Sequence, residues 1–258
     1  MKEKLRLGGM ALANGVLVHG PTAWACAVRL PDGELKVVAE KKSTRAAEIN
    51  QPLLRGPVRL AEMLTLLPRL KRRLPEARLP FERPAVLAAM LFGAVAVRVV
   101  RGSALPVLAR ELLAGVASLA PAALSLRGAG LAAYHGAEHI SIGTYEHGER
   151  REKEHERCGS HLVGPLLATT AIGNTLAGLA APHRQQLARA VAGFGAVAAS
   201  TEIFSWMTRN PDHPVAQALA RPGHELQHRL ATEEPTPEQL EVAEAALAAC
   251  LALEHERD

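Results

Sequence analysis

The charge map of this chain constrains its fold more than any single motif does. Four stretches lack Asp, Glu, Lys and Arg altogether: Pro84 to Val97, Leu112 to Leu126, Leu162 to Pro182, and Ala190 to Thr201. The third runs for 21 residues, enough for a helix to cross a hydrocarbon core of roughly 30 Å. The others run for 14, 15 and 12 residues, and the last resumes beyond Glu202 as far as Met207. Gly102, Ser103 and Pro106 separate the first two and predict a tight turn. The four stretches therefore read as two helical hairpins. Ala and Gly are weak hydrophobes, however, and aromatic residues make up only 3% of the chain, so the aromatic belt of a membrane interface is nearly missing. Buried helices of a soluble bundle would give the same shorter runs, and hydropathy leaves both readings open.

Composition removes several other classes. At 258 residues with 48% apolar and 22% charged side chains, the chain can bury a sizeable core and is not disordered. A net charge of +4 comes without a basic arm; the longest cationic run is Lys71-Arg72-Arg73, so no nucleic-acid partner is expected. Cys26, Cys158 and Cys250 are too sparse for a disulfide scaffold. The start, MKEKLRLGGM, does not read as a cleaved signal peptide.

Three regions follow. Residues 1–83 hold a β-hairpin, Trp24 to Arg29 and Glu34 to Val38 around Pro31-Asp32-Gly33, preceded by a possible strand from Met10 to Val18. The same region holds an amphipathic helix from Pro57 to Leu70, then a polar connection, Lys71 to Arg83, with four arginines and one lysine. If the next segment enters a membrane, those charges favour the cytoplasmic side. Residues 84–210 form a helical core with the two apolar hairpins. Residues 211–258 form a polar helical segment, whose last helix starts at Thr236 with Pro237 in its first turn and Gln239 completing a capping box. The expected fold is mainly α: four apolar, transmembrane helices, a small N-terminal β-hairpin element and cytoplasmic polar helices.

The chemistry concentrates between residues 127 and 161, where five of the 11 histidines fall. In Tyr134-His135-Gly136-Ala137-Glu138-His139, two histidines four apart share a helix face. Such a pair can clamp one zinc ion, and His-x-x-Glu-His is a metallohydrolase pattern in which the Glu acts on water rather than on the ion. His155 and Cys158 follow at a ligand-like spacing. Glu202, an acid in the most apolar part of the chain, is costly there unless paired or ligating and is a candidate third ligand, a helix-end carboxylate facing water being the alternative. The candidate metal ligands are thus His135, His139, Glu202, His155 and Cys158, with Glu138 as the catalytic base. A helix-surface histidine pair, a loop His155 and a buried Cys158 are the plain alternatives.

The block from Tyr134 to His139, the segment His155-Glu156-Arg157-Cys158-Gly159, Gly8-Gly9 through Gly20-Pro21, Leu54-Arg55-Gly56 and the tail from Pro222-Gly223 to Val242-Ala243 together resemble the DUF1385, or YqhQ-like, family, labelled as metal-dependent enzymes. The resemblance covers nearly the whole chain. It implies an integral membrane protein of about four spans, multi-pass in the cell membrane and in contact with lipid, with its polar portion cytoplasmic. It supplies no substrate. The chain departs from the family at Met10, Asn14 and His19, where Gln, Glu and Arg are usual, and at Ile140, where Lys is usual. The function expected from these residues is a zinc-dependent, or other divalent-metal-dependent, membrane hydrolase. A non-catalytic metal-binding or metal-transporting protein, or a scaffold with a structural His/Cys site, would use the same ligands. A closed set of four ligands would favour a structural site and an open set of three would favour catalysis.

Overall fold

A computed structural model describes residues 4–126 and 130–256. The first three residues of the start discussed above lie outside it.

The N-terminal region builds an antiparallel meander in the order β1 (Gly8–Leu12), β2 (Gly15–His19), β3 (Ala23–Arg29) and β4 (Leu35–Lys41). The expected hairpin is its second half. The stretch from Met10 to Val18, read as one strand, is two strands joined by a turn at Ala13 and Asn14. Asn14 ties that turn to a distant loop. Its side chain donates to Glu76 O at 3.1 Å and accepts from the Arg78 amide at 2.9 Å.

Alternation gives the sheet two apolar faces. On one face Leu17, Trp24, Cys26 and Val28 pack against Leu66 and Leu70 of α1 (Arg55–Arg73). On the other, Val16, Val18, Ala25 and Ala27 pack against α5 (Leu131–His147) and α9 (Pro237–His255). The N- and C-terminal segments thus share one core. The capping box at Thr236 and Gln239 is present. At the other end of α9, the buried Glu254 accepts from the Thr22 and Ala23 amides, both at 2.7 Å, which fixes α9 to the β2–β3 turn.

Between these parts run α2 (Pro84–Arg101), α3 (Val107–Ser118), α4 (Ala120–Ser125), α6 (Val163–Ala177) and α7 (Gln185–Met207), with α8 (Pro214–Leu226) packed against the turn at 159–162 and against α6. Among the described residues, three segments are long and apolar enough to cross a membrane: Pro84–Arg101, Val107–Ser125 and Pro182–Met207. Leu91 and Phe92 are 72% and 75% exposed and Leu187 is 68% exposed. Such an apolar exterior on these helices is consistent with a multi-pass membrane protein. The longest uncharged run does not give a fourth such helix. Gly178 ends α6 after 15 residues, about 22 Å at helical rise, and Pro182 starts the next element. α6 instead packs against α3 and α7. At its far end Asn174 donates to Glu111 Oε2 at 3.1 Å, and Arg101 pairs with the same carboxylate at 3.1 Å.

Candidate metal centre

Helix α5 is the best-buried helix in its surroundings, with Leu131 to Gly143 almost continuously covered by the sheet, α9 and the 150s segment. It ends at Gly148, whose φ of +82° lets its N–H reach Thr144 O at 2.8 Å. His135 and His139 stand one turn apart on this helix, with ring centroids 4.3 Å from each other. The third member of the cluster comes from a different segment. Cys158 is the N-cap of a short 3₁₀ turn, Gly159–Leu162, that leads into α6. Its Sγ lies 3.6 Å from His135 Nε2. Donor atoms of His135, His139 and Cys158 all fall within 4.8 Å of one another, so the three could hold a metal ion.

The rings are oriented by backbone carbonyls. His135 Nδ1 is 2.8 Å from Ala231 O, and His139 Nδ1 is 2.6 Å from Lys153 O. A carbonyl can only accept, so each Nδ1 carries the proton and each Nε2 keeps a free lone pair. Ligating histidines are usually held this way. Burial, ahead of any neighbour, lowers the pKa of His139 and so favours its neutral, ligating form.

The remaining sequence candidates are placed as follows. Glu138 is buried beside the cluster, and its Oε2 has no hydrogen-bond partner among the described residues. Burial raises its pKa above the usual carboxylate range. His155 lies near the cluster, 5.6 Å from the His139 ring between centroids, but both its nitrogens are engaged. Nε2 is 3.2 Å from Glu146 Oε2, and Nδ1 accepts from the Arg157 amide at 3.2 Å. Arg157 also pairs with Glu146, so the Glu146–Arg157–His155 group is self-contained. Glu202 is not at the cluster. Arg55 grips its carboxylate with Nε at 2.8 Å and Nη2 at 2.5 Å, and the Leu53 amide donates at 3.1 Å. An acid in an apolar stretch does need a partner; here the partner is an arginine rather than a metal.

A cavity of about 450 Å³ opens beside the cluster, lined on one side by β1 and on the other by His135, Glu138, His139 and Cys158. Sequence reasoning missed the part played by Gly9. A Cβ there would lie 2.5 Å from Glu138 Cδ, so the missing side chain makes room for the carboxylate. The signal was present in Gly8-Gly9, used above only for the family resemblance. Met10 and His19 line this cavity, whereas Asn14 belongs to the turn latch. A larger cavity, about 1480 Å³, lies beyond the Glu146 group and reaches the end of α7 at Met207.

No curated protein and no solved structure matches the chain. The family comparison assigns neither metal-dependent activity nor a YqhQ-like identity. It reaches only part of the chain and leaves out β1 to β4. Residues 130–253, which carry His135, Glu138, His139 and Cys158, match the family described as a protein of unknown function (DUF1385).

Proposed function

We propose that the chain is a multi-pass membrane protein that holds one transition-metal ion, zinc by preference, between His135, His139 and Cys158. The observation that carries this reading is the pair of carbonyl-anchored imidazoles, which present free Nε2 atoms beside a cysteine sulfur. One thiolate and two imidazoles suit zinc and exclude magnesium and calcium, which take oxygen. The sheet, α5 and α9 face the cytoplasm in this reading, because Lys71 to Arg83 lead into α2.

Elemental analysis of the protein purified in detergent without chelators tests the centre. Roughly one zinc per chain is expected, lost in His135→Ala, His139→Ala and Cys158→Ser and kept in Glu202→Gln. Metal-free wild-type protein overturns the reading.

A hydrolytic use of the same centre is the second reading, and Glu138 favours it. Three protein donors are one fewer than a closed structural site has. A buried carboxylate with a free oxygen stands beside them as a base able to take a proton from water. The ion's contribution, when bound, would be Lewis acidity. Glu138→Gln should then abolish turnover in a screen of peptide and ester substrates while leaving the zinc content unchanged. Equal loss of zinc in that variant sinks the assigned role.

A further inference from the structure

The cavity beside the metal cluster runs along the free edge of the sheet. Its lining includes Ala11 from the α5-facing side of β1 and Met10 and His19 from the α1-facing side. A cavity lined from both faces of a terminal strand wraps the edge of that strand.

The register shows which backbone groups point into it. Arg29 N donates to Asn14 O at 2.8 Å, and Gly20 N donates to Ala23 O at 3.0 Å. Even-numbered residues of β2 therefore bond toward β3, and Gly15, Leu17 and His19 bond toward β1. Their partners are Leu12, Met10 and Gly8. The N–H and C=O groups of Gly9 and Ala11 consequently point outward. Among the described residues, no hydrogen bond reaches them. The next outward amide in the row, Ala13, is already bonded to a backbone carbonyl, Arg78 O at 3.0 Å. The edge thus donates one backbone hydrogen bond at one end and is vacant at the other.

We propose that this groove binds an extended peptide segment by strand addition to β1. Gly9 and Ala11 would supply two donors and two acceptors at strand spacing. The groove is polar toward the cluster, at His155 and Arg157, and apolar at Met10, Met63, Leu126 and Ile142, so the peptide carries apolar side chains at the positions that face the apolar part. A segment of about four to six residues fits between the Arg78 strap and the cluster. Where it passes Gly9 it runs beside Glu138, whose carboxylate lies directly over that glycine. The docking rests on the strand edge, and only the fate of the bound peptide rests on the proposed metal centre.

Ala11→Pro tests the docking, since it removes one outward donor and no ladder bond. A randomised dodecapeptide library would be panned on the detergent-solubilised full chain, loaded with zinc, and counted against the Ala11→Pro protein. Peptides enriched on the wild type are expected to bind Ala11→Pro about tenfold more weakly. N-methylation of alternate peptide amides should weaken them by a similar factor, which keeps the test decisive if the proline variant does not fold. No enrichment overturns the proposal, as does equal binding to both proteins or insensitivity to N-methylation. A concentration-dependent dimer that Ala11→Pro dissolves also overturns it, because the edge would then serve a second copy of the chain. Zinc content measured on the same preparations separates the two ideas: peptide binding without zinc refutes the centre and leaves the groove, and zinc without peptide binding does the reverse.

Discussion

Glu62 on α1 is buried together with Lys42, their side chains 6% and 2% exposed. Lys42 Nζ lies 2.8 Å from Glu62 Oε2. The other oxygen accepts from Thr44 Oγ1 at 2.8 Å and from the Ala46 amide at 3.1 Å. Glu62→Gln keeps an oxygen for Thr44 and Ala46 but leaves the Lys42 ammonium buried among neutral groups. Breaking a buried pair in this way costs about 3–5 kcal/mol, a large share of the 5–15 kcal/mol typical of a whole domain. Lys42→Met combined with Glu62→Gln removes the stranded charge, so the double variant should be more stable than Glu62→Gln alone. Trp24 is a suitable reporter, being fully buried in the cluster that holds Leu66 and Leu70 of the same helix. In a Trp206→Phe background its emission follows denaturant unfolding of this interface in mild detergent. Burial pushes the Glu62 carboxyl up, but Lys42, Thr44 and the Ala46 amide outweigh it and hold the group below its ordinary value of 4.5. A carboxyl depressed on folding contributes stability that is complete above about pH 4.5 and lost as the pH falls through the folded value. Glu62→Gln should abolish that part of the acid limb. A loss below about 1 kcal/mol, with no recovery in the double variant, would refute this account of the pair.

Three further outcomes are expected. Burial first, and Lys42 second, push the His19 imidazole down to about 4; the unfolded chain takes up a proton near pH 6.5 that the folded chain refuses, so stability should fall by about 3 kcal/mol between pH 6.5 and 4, and a His19→Gln variant that keeps this slope would disprove the assignment. A Cβ at Gly136 would overlap the Glu233 carbonyl oxygen, so Gly136→Ala should part α5 from the segment whose Ala231 carbonyl orients His135 and weaken zinc binding roughly 10–100-fold in a competition titration; unchanged affinity would count against that orienting role. Glu254→Ala strands the Thr22 and Ala23 amides and should cost about 2–5 kcal/mol, with faster hydrogen exchange at those amides as the local sign and undisturbed exchange as the contrary one.

What could be read from the sequence was what is local. The apolar hairpins, the helix start at Thr236 and the pairing of His135 with His139 depend on spacings of a few residues, and all are present. The misread features depend on distant partners or on where a helix stops. The turn after Leu12 is tied down by Glu76 and Arg78, more than 60 residues away, which hold Asn14 in place. Glu202 was marked as an acid that is costly in an apolar stretch without a partner, but that partner, Arg55, lies 147 residues earlier and no spacing rule reaches it. His155 has the spacing of a ligand and stands beside the cluster, but its bonds to Glu146 and the Arg157 amide could not be read from that spacing. The run from Leu162 to Pro182 is long enough in residues to span, but hydropathy does not see that Gly178 ends the helix inside it.

The cluster is assembled from parts of the chain that have no local reason to meet, and this makes it a sensor of the finished fold. Helix α5 brings two imidazoles, but their orientation is set by Lys153 from the following loop and by Ala231 from the turn between α8 and α9. Cys158 sits where the loop enters α6, so its position depends on how the second apolar hairpin meets the sheet side. At that junction Gly223 of α8 lies so close to the Ser160 and His161 backbone that a Cβ would stand 2.5–2.7 Å from it, and the buried Gln227 bonds the His155 amide at 2.9 Å and Ser160 Oγ at 2.8 Å. The positions of the ligands are therefore tied to the docking of α8. A metal bound there stabilises the docked arrangement and not the unfolded chain. Gln227→Ala, which touches no ligand, should then lower zinc affinity along with stability; zinc binding as tight as in the wild type would mean that α5 and Cys158 form the site without α8.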